Sequence, residues 1–445
     1  MRGRAMGTHR VWWRVLAATG CMLLWQSTVA GLEVPPYDNE EALAALLWER
    51  ATAVLDARAA VTQAQSEYLR ALLYPNPSLE AAWNTIPVGR TNPPGLADRL
   101  DRVPSYSAAL AQLFEIGKRA PRQAARLHEL ERSRAEALAT LGDRFFSLLG
   151  LVGRIAADQQ RIAVLEEQLR DGMELLELDR ARATRGEIAP LDVDVAEVEQ
   201  ARLRALREAA EADLKQAQSD CTALLALPCP PFPTTESAHA FLVRGYSVGD
   251  QSDVSLDDAL RGRPDIQALR AAIAAAEQRA ALAQRRIVPD VTVRAGYTYD
   301  QFVRSGNQRN SLALGLEIPI PAFDRGQSDL MAARAEETRA REVLRVLTEG
   351  LPTALQVARE QLALARRRME QLDQAVAKAR GMRDALVEAQ RAGGISAIEV
   401  LVARRNYGDL LRERTELDGE AFSAVLAIRK LLGVFPRVSK EERAP

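Results

Sequence analysis

Apolar residues return every seventh position over two very long stretches of this chain and every second position over four short ones. In the first long stretch Leu127, Leu141, Leu148, Ile155, Ile162, Leu169 and Leu176 keep the seven-residue step, broken only by Arg134, with Leu138, Phe145, Val152 and Met173 at the companion position. Such a run describes a helix packed along its whole length in coiled-coil fashion and predicts helix over 117–185, roughly 100 Å at 1.5 Å per residue. The second stretch (Leu344, Leu351, Ala358, Ala365, Leu372, Ala379, Leu386) predicts helix over 327–392, with alanines for close approach. A kink is expected at Pro352, which lacks a backbone N–H and crowds the preceding turn. Shorter helices are predicted over 42–73 and 188–226, and over 265–287 and 395–433. In each pair the two lengths add up to about one long helix, so two short helices stacked end to end would line a long one. Between helices, segments 77–86, 105–115, 289–302 and 309–320 alternate apolar with polar or small residues. Val291, Val293, Ala295, Tyr297 and Tyr299, and Leu312, Leu314, Leu316 and Ile318, define the apolar faces of the last two. Period-two alternation predicts strands with one face toward an apolar medium.

The order of elements occurs twice. PNPSLEAAW (75–83) reappears as PDVTVRAGY (289–297), SAALAQLFEIGKR (107–119) answers to SLALGLEIPIPAFDR (311–325), and RGEIAPLDV (185–193) returns as AGGISAIEV (392–400). The repeat fixes the architecture: an α+β chain of two tandem units, each a β-hairpin with long coiled-coil helices. The first unit spans 31–227, the second 261–435, with a linker at 228–260 and a tail at 436–445. Four strands cannot close a membrane barrel, and open strand edges are not tolerated in lipid. If the strands span a membrane the chain must oligomerise, three copies giving twelve strands. Ten or so residues per strand suffice to cross when tilted, and Trp83, Tyr106, Tyr297, Tyr299 and Phe302 fit an interfacial aromatic girdle.

The N-terminus supplies the compartment. Arg2, Arg4, Arg10 and Arg14 precede an apolar run from Val15 to Trp25 and small residues ending at Ala30. This is the form of a signal peptide over 1–30, and a second reading makes Cys21 the acylated first residue of a lipoprotein. Both export the chain. With the four arginines removed, the formal charge moves from −1 to −5. Fifty-nine basic against sixty acidic residues give no electrostatic case for nucleic acid. After the leader no apolar run is long enough for a membrane helix, so any crossing falls to strands. Cys221 and Cys229 stand eight residues apart, a spacing that allows a disulfide in an oxidising compartment and equally two free thiols. His128 and His239 lack ligand spacing. No catalytic constellation, cofactor motif or metal site is visible, so the chain reads as a non-enzyme.

LLYPNPSLEA (72–81), FEIGKR (114–119), RPDI (263–266) and IPIPAFDRGQ (318–327) together resemble the TolC-like outer-membrane factor family, and within it the CzcC-like branch serving heavy-metal resistance–nodulation–division pumps. The resemblance covers essentially the whole mature chain. It implies a homotrimer whose twelve-stranded outer-membrane barrel continues into a periplasmic α-helical barrel. Also implied are a belt formed by Pro228–Ser255 and the tail after Phe435, and docking onto a periplasmic adaptor and an inner-membrane pump. Most of the chain would then lie in the periplasm of a Gram-negative cell.

Candidate functional residues fall at the two helix–turn–helix tips. Gly186 precedes Asp192, and Gly393 with Gly394 precedes Glu399, at matching positions of the repeats. Glycine suits the reversal, and an acid in the next first turn is favoured by the helix dipole, so capping alone explains the pattern. The resemblance adds that these tips meet the adaptor and narrow to a gate of acidic rings, Glu399 matching the first acidic position and Val402 standing where some members carry a second acid. Arg185 and Arg391 flank the turns as solvated charges or as partners of the acids. The function expected is a passive exit duct of a tripartite efflux system for divalent heavy-metal cations. Drug, solvent or type I protein export through the same duct is the alternative, and an exported coiled-coil scaffold without a pore is the rival of a different class.

Overall fold

The computed structural model describes residues 34–83, 105–248, 255–300, 308–392 and 395–436. The leader with Cys21, Gly393 and Gly394, and the last nine residues lie outside them, as do the expected ends of the first and third strands. The described elements, in chain order, are α1 (Glu40–Arg50), α2 (Thr52–Leu72), β1 (Ser78–Trp83), β2 (Ser105–Phe114), α3 (Arg119–Thr184), α4 (Pro190–Leu225), α5 (Thr235–Val248), α6 (Leu256–Gly262), α7 (Pro264–Arg285), β3 (Val291–Asp300), β4 (Asn310–Glu317), α8 (Gln327–Arg391) and α9 (Ala397–Leu432). No described helix is long and apolar enough to cross a membrane, which says nothing of a β-barrel.

The helices pack as the lengths require. α2 and α4 both lie along α3, while α7 and α9 both lie along α8; α3 also touches α7 and α9, which joins the repeats. Two details differ from the sequence reading. The helix expected over 42–73 is two, because buried Ala51 is extended (φ −66°, ψ 118°) and turns the chain there. That break lets Leu43, Leu46, Leu47 and Trp48 of α1 enter the core while α2 stays on the surface of α3. The segment 228–260, read as a linker, carries α5 and most of α6. α8 continues through Pro352.

The principal core gathers around the middle of α3. Phe145, Leu148, Val152 and Ile155 of α3 meet Leu43 and Leu47 of α1, Leu242 of α5 and Phe422 of α9. An aromatic chain runs Tyr37–Phe232–Phe241–Phe422, with neighbouring centroids 5.1–5.3 Å apart. Phe422 fits because Gly153 and Gly245 lie against it: a Cβ on either would come within 2.6 and 2.4 Å of the ring. Cys221 and Cys229 are joined as a disulfide with Cα atoms 6.0 Å apart. The segment just after that loop is pinned by Gln159, whose side chain donates to the Phe232 carbonyl at 3.0 Å and accepts from its N–H at 2.8 Å.

Candidate functional site

The strands form one antiparallel sheet in the order β1-β2-β3-β4. Its register sorts the side chains. Leu79, Ala81 and Trp83 align with Leu110, Ala108 and Tyr106, these with Ala295, Tyr297 and Tyr299, and Ala295 and Tyr297 with Leu314 and Leu312. Alternate residues point the same way, so one face is apolar over all four strands. It is also bare: Leu314 is 87% exposed and Leu79 73%. The opposite face carries Ser78, Glu80, Ser107, Thr292, Arg294, Thr298, Ser311 and Glu317 among glycines and alanines. Water on one side and hydrocarbon on the other is the environment this sheet matches.

Three of the four motifs that carried the resemblance are joints between sheet and helices, and RPDI joins helix to helix. In FEIGKR, Glu115 pairs with Arg122 of α3. Lys118 bonds Asp290 at 2.9 Å, and the Ile116 N–H donates to the same carboxylate at 3.1 Å. In IPIPAFDRGQ, the Gly326 N–H donates to Asp324 at 2.9 Å and Gln327 closes back on the Phe323 carbonyl at 3.0 Å. Gly326 has φ 83°, and a Cβ there would lie 2.5 Å from the Ala283 carbonyl oxygen; both facts demand glycine. In RPDI, Arg263 holds Asp265 with two bonds and donates to the Leu431 carbonyl at 2.9 Å, fixing α7 against the end of α9.

At the far end, the first tip turns at Gly186 (φ 75°), where the Gly186 and Glu187 N–H groups close on the carbonyls of Ala183 and Arg182 at 3.0 Å. Arg185 pairs with Glu187 at 2.9 Å, a partner its sequence reading did not include. Asp192 sits in the first turn of α4 behind Pro190. In the second tip, the Ser396 side chain caps α9 by accepting from the Ile398 N–H at 3.1 Å, and exposed Glu399 occupies its first turn. Arg391 forms no ion pair with Glu399 among the described residues.

Just inside the tips the repeats are tied by residues the sequence reading missed. Asp179 of α3 accepts from Gln390 Nε2 of α8 at 3.2 Å, both side chains about 1% exposed, and Arg182 donates to the Gln390 carbonyl at 3.2 Å. Burial pushes the Asp179 carboxyl up, Asp192 adds to the rise, and Arg182 and Arg404 oppose it. Gln390 Oε1 is buried and unpaired. A signal existed: Gln390 continues, across Val376 and Arg383, the seven-residue step of the buried Leu355, Leu362 and Met369. Among the described residues no group of three or more His, Cys, Asp or Glu could hold a metal ion.

Comparison with known proteins agrees with this geometry. Residues 255–434 match the outer membrane efflux protein family. The chain is 26% identical over 317 residues to the cobalt-zinc-cadmium resistance protein CzcC of Cupriavidus metallidurans, covering 70% of this chain and 74% of that one. Its fold is similar to that of VceC from Vibrio cholerae (TM-score 0.71, 20% identity, 88% of this chain and 95% of the other). It is also similar to the open MtrE channel of Neisseria gonorrhoeae (0.68, 14%, 88% of each) and to CusC (0.64, 18%, 89% and 92%). The family match over the second repeat, the CzcC relative over most of the chain and the shared fold of the whole make this protein similar to the TolC-like outer-membrane efflux proteins.

Proposed function

We propose that three copies of the chain form the passive exit duct of a tripartite efflux system whose cargo is divalent heavy-metal cations. One observation carries the duct: a four-stranded sheet with an apolar, exposed face and two open edges. Because successive strands alternate in direction, β4 runs opposite to β1, and joining β4 of one copy to β1 of the next continues the antiparallel pattern. Three such joins remove every edge, which lipid requires. The long helices then extend from the barrel into the periplasm, and the tips at Gly186 and near Glu399 face an adaptor and a resistance–nodulation–division pump.

The cargo rests on the similarity to CzcC. The chain contributes walls, a docking tip and a gate, while the pump supplies energy. The contacts of Asp179 and Arg182 with Gln390 hold the two hairpins together near the tip, and their release would let one hairpin move against the other. Asp192 and Glu399 place acids at the opening, where threefold symmetry would gather them into rings attractive to cations.

Deletion of the gene from its own host tests the cargo. Loss of tolerance to zinc, cobalt or cadmium with drug tolerance unchanged is expected; loss confined to drugs or to a secreted polypeptide would move the same duct to another cargo.

A further inference from the structure

Three charged side chains form one row across the hydrophilic face of the sheet. Arg294 on β3 stands opposite Ala111 on β2 and Gly315 on β4, so neither neighbour has the bulk to lift its guanidinium away from the sheet. It reaches over β2 to Glu80 on β1, donating at 2.9 and 3.4 Å to the two carboxylate oxygens. On the other side its Nη2 lies 3.8 Å from Glu317 on β4. Glu80 is near the start of β1, Arg294 near the start of β3, and Glu317 at the end of β4. All three therefore sit at the end of the sheet that continues into the helices.

We infer that this row is a second charge filter of the duct, a ring where barrel meets helical tunnel, which selects cations over anions independently of the tips. The inference rests on the duct reading, in which the hydrophilic face lines the lumen. Two carboxylates against one guanidinium leave each row with a formal charge of −1, and threefold symmetry repeats it around the pore. Arg294 has a structural consequence as well. It already occupies Glu80, so the ring presents a negative field without an open chelating pair. A conducting pore needs that compromise: attraction strong enough to admit a cation and too weak to hold it.

The test is the reversal potential of purified protein in planar bilayers under a KCl gradient, with Asp179→Ala in every variant to loosen the tip. Arg294→Gln should move the potential toward the cation limit, and Glu80→Gln with Glu317→Gln toward the anion limit. Arg294→Lys should keep the parent value, which separates charge from damage to the sheet. Conducting channels whose potential is the same in all variants overturn the filter while the duct stands. A preparation that passes no current in any variant overturns the duct reading beneath it.

Discussion

α3 and α8 are the same element in two repeats, 66 and 65 residues long, yet they live in different surroundings. α3 packs against α2, α4, α5, α7 and α9 and buries large side chains, Phe145, Phe146, Leu148, Val152 and Ile155 among them. α8 packs mainly against α7 and α9 and buries chiefly alanine and leucine. It leaves Val343, Val346, Val357 and Leu364 exposed. α3 is the mast of the chain, whereas α8 keeps an apolar face bare, the face a neighbouring copy would cover in the proposed trimer. Repetition of sequence has thus not meant repetition of environment: the first copy of the helix is packed among many elements and the second is left half open.

Phe145→Ala strikes the mast and should have the largest effect. The ring is fully buried in the main core, and its loss should cost about 3–5 kcal/mol of protomer stability in denaturant unfolding. Cys229→Ser opens a loop of eight-residue separation and should cost about 2–3 kcal/mol by restoring freedom to the unfolded chain. Gly153→Ala places a methyl against Phe422; the ring must shift, at about 1–3 kcal/mol. Val357→Asp on α8 should change protomer stability by no more than about 0.5 kcal/mol, as expected of an exposed site, but should abolish assembly in size measurements. A protomer destabilised more by Val357→Asp than by Phe145→Ala would reverse the assignment of the two helices.

A smaller effect sharpens the tie between them. The Asp179 carboxyl is raised by burial, so the folded tip binds its proton more tightly than the unfolded chain does. Stability from this group is therefore present at low pH and lost as pH rises from the unfolded value through the raised folded one. The protonated acid can donate to Gln390 Oε1, which is otherwise unpaired. Conductance should accordingly fall on mild acidification, and Asp179→Asn should flatten that response.

Much of the fold was legible because its signals are periodic and repeated. Seven-residue steps marked α3 and α8, and alternation marked β1, β3 and β4. The break at Ala51 was not legible, since alanine is a good helix former and only the burial demanded by α1 turns the chain. α5 and α6 hid within a proline-rich linker for a related reason: their stability comes from packing, α5 on α3 and α9 and α6 on α7 and α9. At the candidate site the turn glycine Gly186 and the acids Asp192 and Glu399 could be placed from the repeat. The Asp179–Gln390 tie could not, because it joins residues 211 positions apart. Nor could the row of Glu80, Arg294 and Glu317, which exists only once the register aligns four strands.

The central claim is that this sheet is one third of a closed membrane barrel, and the mass of the particle tests it most directly. Protein extracted from outer membranes in detergent, with the detergent contribution subtracted in light scattering, should have three times the mass of the chain. A monomer recovered from the soluble fraction as a folded helical rod would contradict the account.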